Sequence, residues 1–241
     1  MITLKSGDTV LFTGDSITHG GRGYCMDGNH ILGHGYQEIV CGYLAEKNIE
    51  SMPKFFNKGV SGRTMIQICE AWENDALIYR PSLISLLAGI NDVAKSLDED
   101  TAAATEKYIA AAESILSRTF DALPDVKFFI CEPFYLDAKN REDQYEFFPH
   151  PVCEPDFVFG NKNHTEEVMK KYREKLDAIS AALPKLAKKY GAVYVPFQVI
   201  FDEAAKKVHP SYLVWDNIHP TFVGHRLMAK RWLEVAQNAK F

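Results

Sequence analysis

Four short stretches of this 241-residue chain carry side chains that could do chemistry on a substrate. The first is Gly14-Asp15-Ser16-Ile17-Thr18, directly after the apolar run from Thr9 to Thr13. A serine on such a strand-to-helix turn projects its hydroxyl from the sheet edge, and its backbone N–H points where a developing oxyanion could sit. The G-x-S-x-G form of a nucleophile elbow is absent. Taken alone, the turn reads better as a helix N-cap, which Ser and Asp commonly supply. The second stretch is Asn57-Lys58-Gly59-Val60-Ser61-Gly62-Arg63-Thr64, where Gly62 could offer a bare backbone N–H. Alone it is a turn glycine before a helix. The third is Gly89-Ile90-Asn91-Asp92, where the Asn91 amide could donate to an oxyanion, or merely make a turn. The fourth is Asp216-Asn217-Ile218-His219-Pro220. Residues three apart in a tight turn can set a carboxylate against imidazole Nδ1, leaving Nε2 to take a proton from a serine. Without a serine to activate, His219 would be a surface histidine near a helix start.

Each turn is modest alone; their joint occurrence in the order Ser, Gly, Asn, Asp-x-x-His is the informative feature. To work together they must be delivered to one rim, and the pattern between them supplies the means. Thr9 to Thr13, Lys54 to Asn57, Leu83 to Ala88, Val126 to Cys131 and Val193 to Pro196 read as five strands. Helices are expected over His30 to Lys47, Thr64 to Tyr79 and Thr101 to Leu123. Another carries an apolar stripe of Met169, Tyr172, Leu176, Ile179 and Leu183, which Pro184 should kink or end. A last helix is expected over about Thr221 to Ala239, opened by Pro220. Strands alternating with helices imply an α/β fold with a parallel sheet covered on both faces. Ligands in such folds bind beyond the carboxyl ends of the strands, where the first three stretches fall. No linker, repeat or low-complexity tract divides the chain, so a single domain over residues 1–241 is expected. One segment breaks the rhythm. Tyr135 to Asn163 is rich in aromatics and prolines, which argues that it is ordered and walls the site or packs against a second subunit.

The four stretches resemble the SGNH hydrolases, also called GDSL-type lipases and esterases. The matching blocks are FTGDSITHG around Ser16, NKGVSGRT around Gly62, GIND around Asn91 and DNIHPTFVGH around His219, in the family's order across nearly the whole chain. Ile17 stands where the name-giving motif has Leu, a common variant. The resemblance implies a flavodoxin-like three-layer α/β/α fold with a five-stranded parallel sheet. It implies Ser16 as nucleophile, His219 as base and Asp216 as its orienter. Oxyanion donors would be the Ser16 and Gly62 N–H groups and the Asn91 side chain. It implies no metal and no organic cofactor.

The expected activity is a serine esterase working through an acyl-enzyme on small-molecule esters, with acetyl groups on a carbohydrate as the substrate by analogy. A lysophospholipase or acyl-thioester hydrolase is the alternative enzyme. A phosphate- or flavin-binding module is the rival from another class, but it gives Asn91 and Asp216-x-x-His219 no task. A non-catalytic member that binds acylated ligand is a third reading, against which the intact residue set argues. Metal binding by Asp15, His19 and His219 lacks a supporting motif. His30, His34, His150, His164, His209 and His225 read as solvated or satisfied in the core. The net charge of −5 argues against a nucleic-acid surface. No apolar run approaches the roughly 20 residues that span a bilayer. The five cysteines show no C-x-x-C spacing, which fits free thiols in a reducing compartment, and a cytoplasmic location is the expectation. A homo-oligomer is compatible with all of this.

Overall fold

A strand covered by helices on both faces has no side turned to water, so it reads as an unbroken apolar run. The computed structural model describes residues 2–23, 27–137 and 165–239. Among these, β1 (Thr9–Gly14) and β3 (Leu83–Leu87) are buried at every position. They are flanked by β2 (Lys54–Asn57), β4 (Lys127–Cys131) and β5 (Val193–Val195). All five pair in parallel in the order β2-β1-β3-β4-β5. The α-helices are α1 (Ser16–His19), α2 (Tyr36–Lys47), α3 (Met65–Asp75), α4 (Ile90–Lys95), α5 (Thr101–Ala122), α6 (Glu166–Tyr190), α7 (Gln198–Ala205) and α8 (Phe222–Asn238).

The period-2 alternation of strand side chains splits the core into two layers. On one face Leu11, Ile84, Leu86, Phe128 and Ile130 meet Trp72 of α3, Leu116 of α5 and Leu183 of α6. On the other, Val10, Phe12, Leu83, Leu87 and Phe129 meet Val40 of α2, Phe201 of α7 and Trp232 of α8. This is a three-layer α/β/α sandwich. Trp232 packs on Phe12 and Phe129, with ring centroids 5.7 and 4.4 Å away, and its indole N–H donates to the buried Ser85 hydroxyl at 3.0 Å.

The strand order reverses on either side of β1, which opens a crevice at its carboxyl end. The chain leaving β1 is pinned there from both sides. Asp15 N–H donates to Leu87 O at 3.2 Å, and Val60 N–H donates to Gly14 O at 3.0 Å. Gly14 has φ +149°, and a Cβ on it would lie 1.9 Å from Leu87 O, so only glycine permits this approach.

Several boundaries differ from the expected ones. The helix expected from His30 begins at Tyr36, because Gly33 at φ +69° and the Gly35 cap interrupt it. The helix expected over Thr64 to Tyr79 stops at Asp75 and is followed by a 3-10 turn, Leu77–Tyr79. α4 and α7 carry no separate signal in the sequence. Pro220 does not open the last helix: it bridges to Val214, and the Thr221 hydroxyl is the cap that accepts the Gly224 N–H at 3.3 Å. Of the long segment, residues 138–163 lie outside the described residues; Tyr135 and Leu136 at its start are buried.

Nor does Pro184 end its helix, which runs on to Tyr190. The exposed ring removes one hydrogen-bond donor, whereas Leu183, Leu186 and Ala187 keep the buried stripe unbroken across it. Proline inside a helix costs about 3 kcal/mol, partly offset by the stiffer unfolded chain. Pro184→Ala should therefore raise stability by about 1–2 kcal/mol in urea denaturation; an unchanged or lower midpoint contradicts this account.

Candidate active site

A one-turn helix as short as α1 needs its first N–H groups satisfied from outside. Asp15 does this: its carboxylate accepts the Ile17 N–H at 3.0 Å. The capping role thus falls to Asp15, and Ser16, the first helical residue, keeps its side chain for other contacts. Ser16 Oγ lies 2.7 Å from His219 Nε2. His219 Nδ1 lies 2.6 Å from Asp216 Oδ2. A carboxylate only accepts, so Nδ1 donates to Asp216 and the neutral ring turns its Nε2 lone pair to the serine hydroxyl.

The turn that holds this pair is organised by the same aspartate. Asp216 Oδ1 accepts the N–H groups of Ile218 at 3.1 Å and His219 at 2.7 Å. One oxygen shapes the turn and the other orients the ring. The two ends of the turn are closed by the Trp215 N–H, which donates to His219 O at 3.0 Å. The Trp215 indole stacks on the imidazole at a centroid distance of 5.4 Å and is 42% exposed.

Gly62 and Asn91 arrive from the neighbouring strand ends. Gly62 sits at φ +81° in the loop between β2 and α3, and its position is exposed. The Asn91 amide donates to Arg63 O at 3.1 Å, one residue from Gly62, which leaves its second N–H hydrogen available. Both carboxylate oxygens of Asp92 accept the Met65 N–H at 3.0 Å, at the start of α3. Thr64 caps α3 in a reciprocal box with Gln67, and Arg63 pairs with Asp75. The two loops are thereby stitched together by Asn91 and Asp92. The structure joins Ser16, His219 and Asp216 in one hydrogen-bonded chain, and joins Asn91 to the Gly62-Arg63 loop beside it.

Burial alone would lower the His219 pKa, but the hydrogen bond and charge of Asp216, helped by Asp15, raise it above its ordinary 6.5. Burial pushes Asp15 up to about 6 and Asp92 up to about 7. His225, on α8, is pushed down to about 4 by burial and by the nearby His219. Its Nδ1 accepts the Tyr36 N–H at 3.2 Å, so it is a neutral ring satisfied within the fold. Of the other histidines, His30 and His34 meet Asp27 and Glu38, His209 meets Ser211, and His19 meets Ser61. His150 and His164 lie outside the described residues. Among the described residues, no three His, Cys, Asp or Glu side chains gather as metal ligands. Cys41, Cys69 and Cys131 are free thiols. No described helix is long and apolar enough to cross a membrane.

Two neighbours escaped the sequence reading of the site, Asp92 and Trp215, whereas His225 is satisfied in the core as expected. Trp215 adjoins the Asp-x-x-His stretch and so was within view. Nothing in a linear sequence shows that an indole folds back onto the imidazole three peptide bonds beyond its neighbour.

Residues 12–227 match the model of the GDSL-like lipase/acylhydrolase family, and the chain belongs to that family. It is a serine hydrolase acting on ester bonds. Among its relatives is an acetylxylan esterase from Geobacillus stearothermophilus, 28% identical over 234 residues that cover 95% of this chain and 94% of that one. A crystal structure of that esterase superposes with a TM-score of 0.71 at 26% identity, covering 97% of this chain and 96% of that chain. The crystal structure of a GDSL-like protein from Parabacteroides merdae gives 0.72 at 30% identity, covering 98% of each chain.

The geometry makes a titration expectation independent of activity. His219 needs Asp216 to keep its pKa above 6.5, because burial opposes it. In an NMR titration the His219 ring should titrate above pH 6.5, and in Asp216→Asn its midpoint should fall below the wild-type value. His225 should stay neutral down to about pH 4. A His219 midpoint that does not move on losing Asp216 would show that the 2.6 Å contact is not what sets it.

Proposed function

We propose that this chain is a carbohydrate acetylesterase in which Ser16 is the nucleophile, His219 the general base and Asp216 its orienting partner. The observation that carries the mechanism is the unbroken contact chain from Ser16 Oγ through His219 to Asp216, at 2.7 and 2.6 Å. His219 Nε2 takes the serine proton as Oγ attacks the ester carbonyl carbon. The oxyanion is held by the N–H groups of Ser16 and Gly62 and by the Asn91 amide. Collapse expels the alcohol, protonated by His219, and leaves an acyl-enzyme. The same histidine then takes a proton from water, which attacks the acyl carbonyl and releases the acid.

Two observations favour acetyl on a sugar. The acetylxylan esterase matches nearly end to end. Solved variants of that relative with a serine or an aspartate replaced by alanine are described as catalytic mutants, which fits the pairing of Ser16 with Asp216. In this chain Trp215, 42% exposed beside His219, offers a flat apolar face of the kind on which a pyranose ring packs.

Substrate class is tested by comparing kcat/KM on acetylated xylo-oligosaccharides, p-nitrophenyl esters of two to eight carbons, lysophosphatidylcholine and palmitoyl-CoA. The reading expects the acetylated sugar to lead and activity to fall at least about tenfold beyond acetyl, since poor accommodation of extra methylenes is worth roughly 1–3 kcal/mol. Preference for the lysolipid or the thioester would overturn it.

Role by role, Asn91→Ala should lower kcat by about 10² to 10³ with KM little changed, because a donor aimed at the oxyanion acts mainly in the transition state. A raised KM at constant kcat would instead make Asn91 a ground-state contact. Ser16→Ala should lower kcat by about a million-fold in a chain that still folds. Retention of a tenth of the activity would remove Ser16 as nucleophile.

A further inference from the structure

The Asp216–His219 turn also carries Asn217. Asn217 is left-handed, with φ +73°, and it is 3% exposed. Glycine would satisfy this backbone conformation at least as well as asparagine, so the side chain calls for a reason of its own. Its side-chain amide donates to the Tyr135 hydroxyl at 3.2 Å, while its backbone carbonyl accepts the Leu136 N–H at 3.0 Å. Both contacts reach the chain just beyond β4, some 80 residues earlier; the first spans a separation of 82.

Tyr135 is itself held on every side. Its ring stacks on Tyr172 of α6 at a centroid distance of 5.1 Å. Its N–H donates to Gln198 Oε1 at 2.9 Å, and its carbonyl accepts from Gln198 Nε2 at 3.1 Å. Gln198 opens α7, where its N–H donates to the buried Glu132 carboxylate at 2.8 Å. Its side chain also donates to Asp202 at 2.9 Å, and Asp202 receives both arms of Arg173 from α6 at 3.2 and 2.9 Å. A polar network thus runs from the α6–α7 ion pair to the turn. A fully satisfied network of this kind defines one arrangement and penalises departures from it.

We propose that Tyr135 and Asn217 are positioning residues: their contact, backed by Gln198, fixes the rotation of the Asp216–His219 turn so that Nε2 meets Ser16. The proposal rests on the reading of His219 as the base. It concerns how the ring is held, and that can be read without catalysis. The groups that set the His219 charge are Asp216 on the turn, Asp15 beyond β1 and His225 on α8. None is altered by removing the Tyr135 hydroxyl, so a changed titration reports on geometry.

Two variants make the test. Tyr135→Phe keeps the ring on Tyr172 and loses only the hydroxyl. Asn217→Gly keeps access to positive φ and loses only the amide. In each, kcat should fall about ten- to a hundredfold with KM within about twofold, as expected for sub-ångström misplacement of a reacting group. The His219 midpoint in NMR titration should move down from wild type toward its Asp216→Asn value. The double variant should lose less than the sum of the two single losses, because the contact they share is removed in each. If both single variants fold and leave the His219 midpoint and kcat at wild-type values, the proposal is overturned. The same holds if activity falls while the midpoint stays put. A wild-type kcat/KM profile that fails to follow the His219 midpoint would instead count against His219 as base, whatever the two variants do.

Discussion

Everything at this site depends on one contact, the 2.7 Å approach of Ser16 Oγ to His219 Nε2 across 203 residues of chain. A hydroxyl is a poor nucleophile until a base lies within hydrogen-bond reach, so the fold must close that loop to a tolerance of a few tenths of an ångström. It does so by fixing each partner to a different rigid element. Ser16 starts a helix that β1 delivers, with Gly14 pressed against Leu87 and Asp15 closing the cap. His219 rides on a turn shaped by one oxygen of Asp216, has its ring oriented by the other, and is anchored ahead of α8 by the Thr221 cap. Packing of Trp232 from α8 against Phe12 of β1 ties the two supports to one core.

The electrostatics follow from the same closure. Bringing the turn onto the sheet edge buries three ionisable groups near one another. Burial favours the neutral forms of Asp15 and His225, shifting them to about 6 and about 4. His219 alone goes against that trend, because it has a carboxylate partner in hydrogen-bond contact. At the loops after β2 and β3, Asp92 accepts the first N–H of α3, where the positive end of the helix favours a carboxylate. That bond, with Asn91 on Arg63 O, holds together two loops that no strand pairing unites.

The parallel sheet was legible because buried strands such as β1 and β3 advertise themselves as continuous apolar runs, and Ser16, Gly62 and Asn91 because each follows a strand end. The proposed site residues Ser16, Gly62, Asn91, Asp216 and His219 come from four motifs whose order, more than any one spacing, is informative. What stayed hidden depends on contacts between distant segments. Pro184 reads locally as a helix stop, but the buried stripe of Leu183 and Leu186 outweighs one lost hydrogen bond. His30 to Gly35 reads as helix until two glycines take conformations that end it. Tyr135 reads as part of an irregular segment, and Asn217 as filler between Asp216 and His219. Their meeting is set by where β4 and the last turn end up, which no local pattern encodes.

The central claim, that His219 activates Ser16, is most directly measured with a serine-directed fluorophosphonate. Intact-mass and peptide analysis should find one label per chain, on Ser16, and none on Ser16→Ala. The labelling rate should rise with pH through the same midpoint at which the His219 ring titrates. A label on another residue, or a rate that ignores the His219 titration, would contradict the account.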